Sequence, residues 1–285
     1  MDISRIAVLG AGQMGSGIAQ VCLMNGYEVI LNDVSEETLE RARASVGKGL
    51  DILVRKEKIA PADRDRMLAG LTASKDILEF SSCDFAIEAA TEKEEIKLSL
   101  FRRLDEVVPP GAILATNSSS ISITKIAAVT KRPGAVVGMH FMNPPPLMKL
   151  VEVIRGVQTS PETFDATMEL ARKLGKEPVP VNDSPGFIAN RILMPMINEA
   201  VFALLEGVGK AEDIDAIMRM GANHPMGPLA LADLIGLDTV LEILNVLHRE
   251  MGDPKYRPCP LLRKYVDAGY LGRKAGRGFH AYGKE

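Results

Sequence analysis

The chain has 285 residues, more than one hydrophobic core usually holds, so we expect one large domain and one smaller domain. Hydrophobic residues make up 46% and charged residues 25% of the chain, a globular balance that excludes extensive disorder. The formal net charge of -3 gives no overall attraction to nucleic acid or to an anionic membrane, and we expect neither as a partner.

Short apolar segments alternate with helical patterns from residue 5 to about residue 180. This order predicts parallel strands joined by crossover helices, an α/β fold. Helices are predicted for Gln13–Met24 and for residues 36–58, where a long charged helix forms a hairpin with the segment from Pro61. The predicted strands are Ile6–Leu9, Glu28–Leu31, Phe85–Ala89, Ala112–Ala115, Ala135–Met139 and Leu150–Ile154.

The strand pattern stops after Ser184, where helical periodicity takes over. We therefore predict an α/β domain over residues 1–184 and an all-helical domain over residues 185–285. Ser184 is the predicted N-cap and Pro185 the first residue of a helix that ends near Glu206, followed by helices near Ala211–Met220 and Leu229–Met251. About 100 residues cannot easily bury these apolar faces, so we expect the helical domain to form a homodimer.

The segment from Gly10 to Gly15, Gly-Ala-Gly-Gln-Met-Gly, follows the first predicted strand and opens the first helix. In this setting Gly10 makes a tight turn, Gly12 lets the backbone approach a pyrophosphate, and Gly15 lets the helix pack closely on the strand. The helix N-terminus, with Gln13 and Met14, offers free N–H groups to the phosphates. The turn predicts a dinucleotide site, and the alternative is a glycine turn that only reverses the chain.

Polar residues stand at the ends of the predicted strands, where open α/β sheets bind their ligands. Asp33 ends the second strand, where a carboxylate accepts hydrogen bonds from ribose hydroxyls and repels a 2′-phosphate. Asp33 therefore favours NAD as the cofactor, with NADP as the alternative. The other strand ends carry Glu88 and Glu92, the segment Thr116-Asn117-Ser118-Ser119-Ser120, and His140 with Asn143.

His140 ends one predicted strand, and Glu152 interrupts the apolar residues of the next. A carboxylate in an apolar strand needs a partner. Imidazole is a suitable one, because a carboxylate on one ring nitrogen fixes the tautomer and raises the basicity of the other nitrogen. The alternative is a solvated Glu152 at a strand edge, paired with Lys149 or Arg155.

The cysteines and histidines give no sign of a metal site. No Cys-x-x-Cys pair occurs and the histidines lack metal-ligand spacing, so we expect neither zinc nor a disulfide framework. No stretch of about 18 uncharged apolar residues occurs, so no membrane span is expected. The first predicted strand begins close to Met1 and leaves no room for a cleavable signal, which predicts a cytoplasmic protein.

Several motifs resemble one known family, the 3-hydroxyacyl-CoA dehydrogenases, and the bacterial enzymes for 3-hydroxybutyryl-CoA in particular. The resemblance covers essentially the whole chain. The matching segments are Gly10–Gly15, Asn117–Ser120, His140-Phe141-Met142-Asn143-Pro144 with Lys149–Ile154, Pro185–Arg191, Ala222–Pro228 and Leu271–Phe279.

The resemblance implies a Rossmann-like NAD-binding domain, a helical domain that dimerises, and an acyl-CoA substrate held between them. It implies that His140 is the catalytic base and that Glu152 is its partner. Ser119 and Asn190 are implied to contact the reacting part of the substrate. The implied NAD contacts beyond the glycine turn and Asp33 are Glu92, Lys97, Asn117, Ser119, Asn143 and Lys274, and the implied CoA contact is Lys56.

The chain departs from the family pattern at a few positions. Ser118 replaces a more frequent threonine, Met142 replaces a phenylalanine, and Gly49 stands where some relatives have a serine that contacts CoA. A basic cluster of Arg55, Lys56 and Lys58 is the expected site for the CoA phosphates, although such a cluster also serves simply to solvate a helix end.

The sequence therefore predicts an oxidoreductase that interconverts (S)-3-hydroxyacyl-CoA and 3-ketoacyl-CoA, with 3-hydroxybutyryl-CoA as the expected substrate. One alternative is a dehydrogenase of free 3-hydroxy acids or sugar acids, although those enzymes typically use a lysine as the acid/base. Another is a non-catalytic NAD-binding protein resembling the crystallins recruited from this superfamily. Retention of Ser119, His140, Glu152 and Asn190 together argues against loss of catalysis.

Overall fold

The computed structural model describes residues 2–283, which divide into two compact units after Ser184. The first unit is an α/β domain, and the described part of the second is built from helices. The predicted fold class, a Rossmann-like domain followed by a helical domain, is confirmed. Among the described helices, none has the length and apolar character needed to cross a membrane.

One sheet forms the centre of the first unit. Over residues 2–184 its strands are β1 (Arg5–Leu9), β2 (Glu28–Asn32), β3 (Leu71–Ser74), β4 (Phe85–Glu88), β5 (Ile113–Thr116), β6 (Val136–Phe141), β7 (Leu150–Arg155) and β8 (Glu177–Asn182). They lie in the order β3-β2-β1-β4-β5-β6-β7-β8. Neighbours are parallel except β6 and β7, because the proline-rich link between these two strands is too short for a crossover helix.

Helices pack on this sheet, and its central strands β1, β4, β5 and β6 are buried on both faces. One face, with Ile6 and Val8, forms a core with the buried residues of the first helix, Ile18 and Ala19 among them. Alternate strand residues such as Ala7 are equally buried. The helices over residues 2–184 are α1 (Gln13–Met24), α2 (Glu36–Arg55), α3 (Pro61–Ala69), α4 (Glu94–Val107), α5 (Ile123–Ala128) and α6 (Pro161–Lys173).

The two strands that the sequence did not predict lie at the edges of the sheet. β3 has only four residues. β8 contains Pro178 and Pro180, which argue against a strand in the middle of a sheet but are tolerated at an edge. The hairpin predicted beyond residue 36 is present, because α3 packs against α2. The predicted bounds of the other strands shift by one or two residues at either end.

The second unit has its own core, which includes Met194, Ile197, Leu229, Leu237 and Leu244. Residues 185–283 form the helices α7 (Ala189–Leu205), α8 (Ala211–Gly221), α9 (Pro228–Ile235), α10 (Leu237–Met251) and α11 (Pro260–Asp267).

Three details of this helical unit differ from the prediction. Ser184 is not an N-cap, because Gly186 and Phe187 have φ values of +72° and +51°, which a right-handed helix cannot include, and α7 begins only at Ala189. The single helix predicted from residue 229 to 251 is broken by Gly236, with φ +102°. The sequence analysis missed α11.

Candidate functional site

The glycine turn lies between β1 and α1, as predicted, and the structural reason for glycine differs among its three positions. Gly10 has a φ of +98°, which favours glycine. A Cβ on Gly15 would overlap the carbonyl oxygen of Gly10, so this position needs glycine for the packing of helix on strand. Gly12 has an ordinary φ of −67°, and a Cβ there would meet no atom within 4 Å. No neighbour within residues 2–283 requires glycine at position 12, and the room beside it suits a bound pyrophosphate.

Asp33 joins this turn to the end of β2. Its carboxylate accepts a hydrogen bond from the N–H of Ala11 at 2.9 Å and another from the N–H of Ser35 at 3.0 Å. The N–H of Gly10 donates to the carbonyl of Asn32 at 2.7 Å. The carboxylate is therefore fixed beside the turn. Gln13 and Met14 occupy the first turn of α1.

Glu88 and Thr116 end the adjacent strands β4 and β5 and are buried together. Glu88 accepts hydrogen bonds from the Thr116 hydroxyl at 2.9 Å and from the Ala90 N–H at 2.9 Å, and it forms an ion pair with Lys97. Lys97 itself is 1% exposed. The carboxyl edge of the sheet thus contains a charged pair that is sealed from solvent.

Glu92 holds the loop that follows β5. Its carboxylate accepts hydrogen bonds from the hydroxyl of Ser119 at 2.6 Å, from the Ser119 N–H, and from the hydroxyl of Ser118 at 2.9 Å. Asn117 joins the same loop to β6, because its side-chain oxygen accepts the N–H of Phe141 at 2.9 Å. This contact brings the serine loop beside the strand that carries His140.

His140 and Glu152 are directly opposite each other in the antiparallel pairing of β6 and β7. Opposite residues of neighbouring strands share one face of a sheet, so their side chains meet. His140 Nδ1 lies 2.8 Å from Glu152 Oε2, and the two residues are 8% and 2% exposed. The predicted contact is present, and the alternative of a solvated Glu152 is excluded. Because Nδ1 faces the carboxylate, the pair leaves Nε2 as the basic nitrogen of a neutral imidazole.

The loop from Asn143 to Met148 connects this strand pair, and Asn143 itself is exposed. Lys176 anchors the loop by donating to the carbonyl oxygens of Pro145 at 2.6 Å and Met148 at 3.0 Å. Burial lowers the pKa of Lys176, against an opposing effect of Cys22. The anchored loop forms one wall of a groove in the first unit.

This groove has a volume of about 750 Å³ and runs between α1, α2 and the proline loop. Lys56 and Lys58 of the predicted basic cluster line it, whereas Arg55 does not. Arg41 and Lys48, which the sequence analysis missed, also line it. Arg41 and Lys48 lie on α2 and Lys56 caps its C-terminus. The three residues recur at helical spacing, and this spacing was the signal that the sequence offered. Four cationic side chains make the groove suited to an anionic ligand.

A Cβ on Gly49, also in the groove, would overlap the side-chain amide of Gln20. A serine at position 49 would therefore require Gln20 to move. This is the position where the sequence departs from the expected CoA contact.

Asn190 and Lys274 belong to the second unit. Asn190 is the second residue of α7, buried to 9% exposure, and it follows the left-handed Gly186 and Phe187. Lys274 Nζ lies 2.7 Å from both carboxylate oxygens of Asp238. Burial acts to raise the pKa of Asp238, but the hydrogen bond and the charge of Lys274, together with backbone hydrogen bonds, outweigh it and the pKa is lowered.

Two family models together match nearly the whole chain. Residues 5–184 match the 3-hydroxyacyl-CoA dehydrogenase NAD binding domain, and residues 186–282 match the C-terminal domain of the same family. The chain belongs to the 3-hydroxyacyl-CoA dehydrogenase family. The family resemblance inferred from the sequence motifs is thereby confirmed, and NAD is the cofactor of the first unit.

Several relatives within the 3-hydroxyacyl-CoA dehydrogenase family are similar over nearly their full length. The chain is 52% identical over 280 residues to 3-hydroxybutyryl-CoA dehydrogenase of Bradyrhizobium diazoefficiens, covering 98% of this chain and 96% of that one. It is 54% identical over 282 residues to a probable 3-hydroxybutyryl-CoA dehydrogenase of Bacillus subtilis, covering 99% and 98%. The crystal structure of (S)-3-hydroxybutyryl-CoA dehydrogenase PaaH1 from Ralstonia eutropha superposes with a TM-score of 0.96 at 49% identity, covering 99% of this chain and 100% of that one.

Proposed function

We propose that this protein interconverts (S)-3-hydroxybutyryl-CoA and acetoacetyl-CoA with NAD. The observation that carries the proposal is the buried contact between His140 and Glu152, placed at the carboxyl edge of a sheet whose glycine turn belongs to an NAD-binding domain. Proteins at about 50% identity over nearly the full chain bear the name of this activity.

The proton transfer follows from the geometry of the pair. A bound NAD would supply the hydride acceptor for C3 of the substrate. Neutral His140 removes the proton of the 3-hydroxyl through Nε2, because Nδ1 is held by Glu152 at 2.8 Å. The imidazolium that results is stabilised by the adjacent carboxylate. In the reductive direction His140 returns the same proton to the ketone oxygen.

Two further polar side chains act on the substrate in this proposal. Ser119 hydrogen-bonds the reacting oxygen by redirecting to it the single hydroxyl hydrogen that otherwise goes to Glu92, and Asn190 orients the substrate and favours the developing charge. Ser119 is not a nucleophile, since hydride transfer needs no covalent intermediate. The backbone N–H of Ser119 also donates to the Glu92 carboxylate, and this bond holds the residue in place.

The cofactor contacts remain a proposal drawn from the family resemblance and from the turn geometry. The open space beside Gly12 receives the pyrophosphate, and Asp33 accepts the ribose hydroxyls, which favours NAD over NADP. The residues proposed to contact or shape the NAD site are Gly10, Gly12, Gln13, Met14, Gly15, Asp33, Glu92, Lys97, Asn117, Ser119, Asn143 and Lys274.

The CoA moiety is proposed to lie in the groove beside α2. Its phosphates are anions, and Lys56 with Arg41, Lys48 and Lys58 supplies cations along one wall. Lys56→Glu should raise the KM for acetoacetyl-CoA with little change in kcat. An unchanged KM would remove Lys56 from the proposal.

Dimerisation is proposed for the second unit. Its described surface exposes Ile192 at 66%, Val208 at 77%, Ile217 at 65% and Met220 at 81%, large apolar side chains that a second copy would cover. Sedimentation equilibrium that shows only a monomer at micromolar concentration would contradict the homodimer. We also propose a cytoplasmic location, where the buried free thiols of the three cysteines remain reduced.

Absorbance at 340 nm separates this function from the alternatives. With NADH present, we expect oxidation on addition of acetoacetyl-CoA, little with free acetoacetate, and less with NADPH. Preference for acetoacetate would favour a dehydrogenase of free hydroxy acids. NADH binding without oxidation of NADH by either substrate would favour a non-catalytic NAD-binding protein.

A further inference from the structure

The proline loop, from Asn143 to Met148, carries no charged side chain and forms one wall of the groove proposed for CoA. The residues of the loop that line the groove are Pro144, Pro145, Pro146 and Leu147. Leu147 is 78% exposed and Met148 is 42% exposed, so burial of these apolar side chains contributes little to holding the loop. Other contacts must therefore keep the loop in place.

One such contact is the packing of Pro145 on the first helix. A Cβ on Gly17 would lie 2.8 Å from Pro145 Cδ, so glycine at this position of α1 lets the loop approach the helix closely. Within the loop, the N–H groups of Leu147 and Met148 donate to the carbonyl oxygen of Pro144 at 3.0 Å and 3.1 Å. These contacts shape the loop and fix its first half to α1.

Lys176 supplies a second attachment. Its ammonium donates to the carbonyl oxygens of Pro145 at 2.6 Å and of Met148 at 3.0 Å. Burial lowers the pKa of Lys176, because its ammonium gives up part of its hydration shell beside these two carbonyl groups. One cation thus joins both halves of the proline loop to a single point of the domain.

The backbone around Lys176 is itself fixed by the sheet and by α6. The N–H of Lys176 donates to the carbonyl of Ala171 at 3.0 Å in the turn that ends α6, where Gly175 has a φ of +68°. The N–H of the next residue, Glu177, donates to the carbonyl of Lys149 at 2.9 Å, where the pairing of β7 with β8 begins. Among the described residues, those that line the groove do not include Lys176, so its side chain holds the loop from outside the groove.

We propose that Lys176 is a positioning residue that holds the proline loop in the shape that receives the CoA thioester. The inference rests on the proposed function for the identity of this ligand. A ligand that binds against an unanchored loop must order that loop, so an anchor that exists before binding raises the affinity. Lys176 acts through backbone carbonyls and takes no part in proton or hydride transfer. Its loss should therefore raise KM and leave kcat nearly unchanged.

Lys176→Met removes the ammonium and nearly keeps the length of the side chain. We expect the KM for acetoacetyl-CoA to rise about 10-fold, with kcat and NADH affinity within about twofold of wild type. Lys176→Arg keeps hydrogen-bond donors at this position and should restore most of the affinity. Lys173→Met is the matched control, because Lys173 lies at the end of α6, pairs with exposed Glu169 at 2.8 Å, and should change none of these quantities.

A truncated thioester locates the effect. Acetoacetyl-N-acetylcysteamine carries the reacting group but lacks the nucleotide and most of the pantetheine arm, so its kcat/KM should not change in Lys176→Met. A KM for acetoacetyl-CoA within about twofold of wild type would overturn the proposal. Equal losses with both thioesters, or an equal loss of NADH affinity, would also overturn it, because either result would indicate general damage to the site.

Amide hydrogen exchange gives a readout that does not depend on turnover. The amides of Leu147 and Met148 should exchange faster in Lys176→Met than in wild type or in Lys173→Met. Unchanged exchange at both amides would contradict the anchoring. A wild-type protein that oxidises no NADH with either thioester would refute the proposed function and leave this comparison valid. If Lys176→Met does not fold, Lys176→Gln, whose shorter side chain does not carry the charge, serves for the same measurements.

Discussion

Replacing Glu152 by glutamine removes the carboxylate from His140 and keeps the size of the side chain. The carboxylate oxygen Oε2, whose negative charge is lost in glutamine, lies 2.8 Å from Nδ1, and both residues are buried. At an effective dielectric constant of about 20, unit charges about 4 Å apart attract by about 4 kcal/mol. If about half of the imidazolium charge has developed in the transition state, the variant loses about 2 kcal/mol, or about 30-fold in kcat.

Stopped-flow absorbance at 340 nm with saturating acetoacetyl-CoA measures this loss directly. NADH affinity should stay within about threefold of wild type, because Glu152 lies away from the glycine turn in the strand order of the sheet. Glu177→Gln is the matched control, since it makes the same chemical change at an exposed residue of the neighbouring strand. A Glu152→Gln rate within threefold of wild type would refute the electrostatic reasoning.

Other predictions concern the turn, a thiol and acid stability. Gly12→Ala should keep the wild-type melting temperature but weaken NADH binding about 10-fold or more, whereas Gly15→Ala should lower the melting temperature. Unchanged NADH affinity in Gly12→Ala would contradict the assignment of this position to the pyrophosphate. Burial raises the pKa of Cys22 to about 12, so its thiol should react with a disulfide reagent at pH 8 only after unfolding, and rapid labelling of the native protein would refute this. Burial acts to raise the pKa of Asp84, but hydrogen bonds from Ser4 and Arg5 outweigh it and the pKa is lowered. Asp84→Asn should therefore reduce the free energy of unfolding at pH 7, by a difference that shrinks below about pH 4; a constant difference in urea unfolding down to pH 3 would contradict it.

The elements around the glycine turn were predictable because each has a strong local signal. An apolar strand, three spaced glycines and an uninterrupted helix define β1 and α1. The strands β3 and β8 lacked such a signal, since one is very short and the other alternates with prolines at a sheet edge. The start of α7 was missed because the positive φ of Phe187 depends on its surroundings and not on its residue type.

Some contacts of the candidate site were likewise predictable from the sequence and others were not. The contact of His140 with Glu152 was predictable, because an acidic residue inside an apolar strand requires a partner and a strand-end imidazole was available. The buried ion pair of Glu88 and Lys97 was not predictable, because a lysine in the first turn of a charged helix is usually solvated. Its burial arises from long-range packing of α4 on the sheet, which no local pattern reports.

The most direct test of the proposed reaction is a single-turnover measurement on His140→Gln. Enzyme preloaded with NADH is mixed with acetoacetyl-CoA, and oxidation of the bound NADH is followed at 340 nm. We predict that NADH and acetoacetyl-CoA bind with near wild-type affinity while NADH oxidation slows about 100-fold to 10,000-fold. Oxidation within threefold of the wild-type rate would contradict the assignment of His140 as the group that moves the proton.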